Sequence, residues 1–99
     1  MDIKKCNSLQ EVRQEVDKID AKLIDLISAR SHYIRQAAMF KESVEEVKTP
    51  QRIDEILTRV RHRAIELGVS PNMISELFEI MIDEMVETEI AELKNRNKF

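Results

Sequence analysis

From Ser8 to Lys41 no glycine or proline interrupts the chain. Within that stretch Leu9, Val12, Val16, Ile19, Leu23, Leu26, Arg30, Tyr33, Ala37 and Phe40 follow one another at alternating steps of three and four. Such a period puts all of them on one side of a helix, as the seam of a coiled-coil-like packing surface. Ser8 with Glu11 three residues on supplies a capping box, so the spacing predicts a first helix over about Leu9–Lys41. At 1.5 Å per residue that helix is about 50 Å long, whereas a compact chain of this length has a radius of gyration of about 13 Å. An apolar seam that outruns its own domain needs a cover the chain does not supply. The least costly cover is a second copy across a twofold axis, and an interlocked homodimer is the expectation.

The remaining punctuation divides the chain into two more helices. Thr49-Pro50 reads as N-cap and first helical residue, Gly68 as the residue that ends the second helix, and Ser70-Pro71 as the start of a third that runs into the nineties. The stretch from Lys94 to Phe99 reads as a frayed end. Val and Ile recur at helical intervals and no hairpin turn signal is present. The expected fold class is therefore all-α: a three-helix chain with one long N-terminal helix, forming a single domain over residues 1–99 with its core at about 6–93.

Composition removes several classes of function. Hydrophobic residues make up 42% of the chain and charged ones 35%, too apolar for disorder and too evenly charged for a membrane protein. No apolar run approaches the roughly 20 residues of a bilayer span, and Met1-Asp-Ile-Lys-Lys lacks the apolar stretch of a signal peptide. A soluble, cytoplasmic protein without a membrane partner is expected. Sixteen basic residues against nineteen acidic ones, with no Trp and one Tyr, argue against nucleic acid. Cys6 is the single cysteine, no Cys/His cluster has metal-ligand spacing, and no nucleophile–base pair or Gly-rich phosphate loop is readable. An enzyme built from this inventory works without metal, cofactor or covalent chemistry. His32, His62, Met39, Met73, Met81 and Cys6 read as surface or gap-filling residues.

Five charged positions carry the functional argument. Arg30 occupies a seam slot, and Lys41 lies eleven residues on, about three turns and roughly 16 Å away on nearly the same face. Arg52 falls in the first turn of the second helix, where free N–H groups and the dipole favour an anion. Together they suggest a cationic pocket for a small dicarboxylate. Against that stand a seam arginine that pairs with a neighbouring Glu or snorkels outward, and solvated surface charges at positions 41 and 52. Arg13 lies seventeen residues from Arg30, about 25 Å along the helix, so it reaches that pocket only from the second copy of an antiparallel dimer. Its plainer reading is a pair with Asp17. Glu89 continues the stripe Phe78, Ile82, Met85, and is either a buried acid facing cations or the point where the stripe turns to solvent.

The chain from about Cys6 to Leu93 resembles the all-helical chorismate mutases, and especially their small branch that contains isochorismate pyruvate lyase. Arg13, Arg30 and Lys41 repeat the family's Arg-x16-Arg-x10-Lys spacing, and Arg52 follows in Thr-Pro-Gln-Arg, similar to the Pro-x-Arg of the lyase branch. Cys6 to Arg13, Val16 to Asp20, Ala37 to Lys41 and Ala64 to Gly68 also look like that branch. The resemblance implies a dimer of three-helix chains intertwined along the first helix, with two shared active sites. In each, Arg13 of one chain and Arg30 of the other hold the substrate's carboxylates. Lys41 contacts a carboxylate and the ether oxygen of the breaking bond, Arg52 adds charge at the rim, and Glu89 is the second donor to that oxygen. The commoner pattern has Gln at the last position and often an acid just before Arg52; here Glu89 and Thr49-Pro50-Gln51 stand instead. A Glu donates only when protonated, so the resemblance implies activity that falls as pH rises and a Glu89→Gln variant that flattens the fall.

The implied chemistry suits the inventory. A Claisen rearrangement of chorismate to prephenate, or pericyclic loss of pyruvate from isochorismate to leave salicylate, is unimolecular and needs only conformer selection and stabilised charge. The mutase reaction is the preferred expectation, the lyase reaction its alternative, and a non-catalytic helical dimerisation module the second alternative. The charged segment Glu42 to Lys48 is expected to order over bound ligand as a lid.

Overall fold

The computed structural model describes residues 2–96, and every regular element among them is helical. Helix α1 spans Leu9–Ala38, α2 Val44–Val47, α3 Pro50–Leu67 and α4 Pro71–Arg96. Local chemistry sets most of these limits. Ser8 Oγ accepts from the Glu11 N–H at 3.1 Å, the cap half of the expected box, while the Glu11 carboxylate accepts from the Asn7 N–H at 2.9 Å, one residue before the cap. Gly68 ends α3 in the left-handed region at φ 72°. Its N–H reaches the Ile65 carbonyl at 3.2 Å and the Val69 N–H reaches that of Ala64 at 2.9 Å, a Schellman ending. Ser70 Oγ accepts from the Met73 N–H at 3.2 Å and so starts α4.

Three boundaries depart from expectation. The first helix ends at Ala38, not Lys41, and the N–H groups of Met39, Phe40 and Lys41 fold back on the carbonyls of Gln36, Ala37 and Ala38. The cause lies just downstream. Ser43, extended at φ −138° and ψ 160°, accepts from the Glu46 N–H at 3.2 Å and caps the single turn α2, while the Glu46 carboxylate accepts from the Glu42 N–H at 2.8 Å. A helix does not pass through an extended cap. Segment 42–48, expected to order over bound ligand, holds a capped helical turn with Val47 buried. Thr49 sits at the N-cap of α3 but donates its hydroxyl to the Glu46 carbonyl at 3.1 Å rather than capping. Lys94 to Arg96, expected to fray, is helical; the rest of that stretch, 97–99, lies outside the described residues.

The chain divides into two compact units, one ending at His32 and the other beginning at Tyr33. The first is helical from Leu9 onward. Its seam residues Leu9, Val12, Val16, Ile19, Leu23 and Leu26 are 36–67% exposed, since one helix has nothing of its own to bury them against. The second unit has a core made by Ala38, Val47, Ile56, Ala64, Ile82 and Leu93, all buried. Here α3 and α4, joined through Gly68–Ser70, form a helical hairpin. Arg61 Nη1 staples it by donating to the Ser75 hydroxyl (2.9 Å), the Asn72 side-chain carbonyl (3.1 Å) and the Pro71 carbonyl (3.3 Å), which satisfies the buried Ser75. Leu77 and Ile80 of α4 stay exposed, so α4 is apolar on a second face. No described helix is long and apolar enough to cross a membrane.

Candidate functional site

Lys41 and Glu89, forty-eight residues apart, meet in the second unit. Lys41 Nζ donates to Glu89 Oε2 at 2.7 Å. Periodicity places Glu89 on the same side of α4 as Ile82 and Leu93, and it is only 4% exposed. Of its two sequence readings, the buried acid facing a cation is the one the fold adopts. Burying a carboxylate is unfavourable without a counter-charge, and the half-buried Lys41 provides it from just beyond the end of α1. The neighbouring acids differ: Glu87 is exposed and Glu92 half-buried. Chemically the pair presents one ammonium and one carboxylate in short contact, a cation for a substrate carboxylate or ether oxygen beside a group able to donate when protonated.

Of the other expected residues, Arg52 lies in the second unit with the pair, and Arg13 and Arg30 lie in the first. Arg52 is the third residue of α3 and is exposed, its Nη1 3.6 Å from Glu55 one turn on. Arg13 and Arg30 belong to the first unit, where Arg13 is exposed and Arg30 half-buried. Seventeen helical residues hold them about 25 Å apart, so within one chain they do not share a small ligand. Asp17, the plainer partner for Arg13, makes no ion pair within 4 Å among those found in the described residues. No group of three or more His, Cys, Asp or Glu side chains gathers as a metal site among the described residues.

The sequence reading misses one residue beside this site. Arg96 donates to the carbonyls of Ala38 and Met39 at 3.2 and 3.1 Å and to that of Lys41. A usable signal exists: Arg96 stands seven residues after Glu89, so it continues the same helical face.

The sequence model for chorismate mutase type II matches residues 12–90. Three curated proteins are similar. An isochorismate pyruvate lyase of Pseudomonas aeruginosa is 27% identical over 77 residues, 78% of this chain and 76% of its own length. A chorismate mutase of Methanocaldococcus jannaschii is 29% identical over 94 residues, 91% of this chain and 95% of its own. A bifunctional chorismate mutase/prephenate dehydratase of Buchnera aphidicola is 28% identical over 97 residues, 94% of this chain but 25% of that longer protein.

Proposed function

The chain belongs to the chorismate mutase type II family, and from that premise we propose that it is an enzyme converting chorismate to prephenate. The reaction breaks the ether C–O bond as a C–C bond forms within the same molecule, so no group leaves and no co-reactant enters. Lys41 binds a substrate carboxylate and the ether oxygen, where negative charge develops as the bond lengthens. Preorganised donors in a site that excludes water are worth about 3 kcal/mol or more each, against the roughly 8 kcal/mol of a millionfold acceleration. Arg30 and the second copy's Arg13 clamp the two carboxylates and select the compact conformer, while Arg52 adds charge at the rim. In this reading residues 1–99 act as one domain within a homodimer that holds two shared sites in the cytoplasm.

The observation that carries the reading is the 2.7 Å contact between Lys41 and the inaccessible carboxylate of Glu89. It supplies a half-buried cation in short contact with a second polar group. A dianionic guest competes with Glu89 for the ammonium, and position 89 then supplies the second donor to the ether oxygen, so Glu89→Gln, whose amide donates, is expected to keep turnover while Glu89→Ala lowers it; unchanged turnover in Glu89→Ala takes Glu89 out of the role. The exposed seam of the first unit supports the dimer, because six large apolar side chains otherwise stay in water.

A second reading, loss of pyruvate from isochorismate to give salicylate, is favoured by the similarity to the Pseudomonas lyase and by Arg52 in Thr-Pro-Gln-Arg. One comparison ranks the two: loss of chorismate absorbance against appearance of salicylate fluorescence from isochorismate. Faster turnover of isochorismate reverses the order. A chain that turns over neither, and in which Arg30→Leu stabilises the dimer by filling the seam, is a dimerisation module instead.

A further inference from the structure

We propose that Arg96 is a positioning residue for Lys41, holding the backbone from which the ammonium is presented; this rests on the reading of Lys41 as the cation at the breaking bond. The guanidinium of Arg96 serves three carbonyls in four residues: Nη1 donates to those of Ala38 (3.2 Å) and Met39 (3.1 Å), and Nη2 to that of Lys41. These carbonyls lie where α1 has stopped and its negative dipole end is exposed, so a cation there is favoured on charge as well as on hydrogen bonding.

What makes this more than a helix cap is what else α4 does to the same residue. Glu89 and Arg96 are seven residues apart on α4, about 10.5 Å along its axis and within roughly 20° of one face. Glu89 accepts from the Lys41 ammonium at 2.7 Å, and Arg96 donates to the Lys41 carbonyl. One helix face therefore holds Lys41 by its backbone carbonyl and by its side-chain tip, with the buried Leu93 between Glu89 and Arg96 in the sequence of that face. A lysine side chain has a flexible four-carbon stem, and fixing its backbone narrows the arc its tip can sweep. Substrate binding draws the Nζ end away from Glu89, which leaves the Arg96 end as the fixed one. A lysine at position 96 lacks the planar fork that reaches several carbonyls at once. Arg96 also lines an open depression with Met39, Phe40 and Glu42, so the clamp is accessible to solvent and reads out in solution.

Steady-state kinetics of Arg96→Ala, Lys41→Gln and the double variant test this, with folding followed by thermal melts. The expected result is a fall in kcat of about tenfold for Arg96→Ala with KM moving less than about threefold. Arg96→Lys recovers only part of the loss. In the Lys41→Gln background Arg96→Ala costs less than about twofold more, because the residue acts through Lys41. Equal losses in both backgrounds, or a lowered Tm with kcat intact, overturn the proposal. Should Arg96→Ala not fold, Arg96→Lys carries the same comparison. A wild-type chain inactive on both chorismate and isochorismate defeats the proposed function itself, an outcome distinct from an active enzyme indifferent to Arg96.

Discussion

The two units of this chain use apolar residues in opposite ways. In residues 9–32 the apolar positions form a regular seam, yet Leu23 and Leu26 are 51% and 67% exposed. In residues 33–96 the pattern is less regular, yet it buries Ile56, Ile82 and Leu93 and carries the acid Glu89 inside with them. Regularity of pattern and completeness of burial are therefore separate properties. A perfect seam on a lone helix states a demand for a partner, whereas an irregular stripe on a helix within a hairpin can be satisfied by its own chain.

The sharpest way to break this comparison is a charge in the seam. If the site is shared between two copies as proposed, Leu23→Lys is expected to shift sedimentation from two chains to one and to abolish turnover; an unchanged dimer refutes the seam as the contact. Next in size is Lys41→Ala, expected to lower turnover by about a hundredfold, roughly 3 kcal/mol, with a smaller effect on affinity. It also leaves Glu89 buried without its cation, so stability drops by about 3 kcal/mol, and adding Glu89→Gln restores part of that stability but none of the activity. Intact turnover in Lys41→Ala excludes its part at the ether oxygen. Leu93→Ala probes the second unit's own core. It should cost about 2–4 kcal/mol by denaturant titration while sedimentation still reports two chains.

The smallest effect belongs to the first unit. The Lys18 ammonium, 3.2 Å from the Glu15 carboxylate, lowers its pKa from the ordinary value by hydrogen bond and charge; Lys4 at 3.4 Å adds to this, and slight desolvation opposes it. A depressed carboxylate contributes stability that is present above its ordinary value and is lost as pH falls through its folded one. Lys18→Ala should move the Glu15 titration, followed by NMR, upward toward the ordinary carboxylate range, with little change in stability because the pair is solvent-screened.

Much of the fold was legible because its signals are local. Ser8 with Glu11, Pro50, Gly68 and Ser70-Pro71 each act through hydrogen bonds or backbone angles within a few residues, and all mark real boundaries. Ser43 with Glu46 is the same capping signal, masked by a charged context that reads as a lid. The true end of α1 was harder to see, because no glycine or proline marks it. That end is held in part by Arg96, fifty-five to fifty-eight residues away. The site divides along the same line. Periodicity alone showed Glu89 on an apolar stripe, but the identity of its partner is a tertiary fact. Arg30 and Arg52 were singled out by a seam slot and a helix start and Arg13 by its spacing from Arg30, whereas the convergence of the three is part of the proposed function.

Mixing two inactive variants tests the shared site most directly. Arg13→Ala and Lys41→Ala chains, each nearly inactive alone, are unfolded together and refolded at equal concentration. If each site takes Arg13 from one copy and Lys41 from the other, half the dimers are mixed and each mixed dimer holds one intact site of two, which returns about a quarter of wild-type activity. Activity no higher than that of the separate variants, with mixed dimers present by native mass spectrometry, contradicts the account.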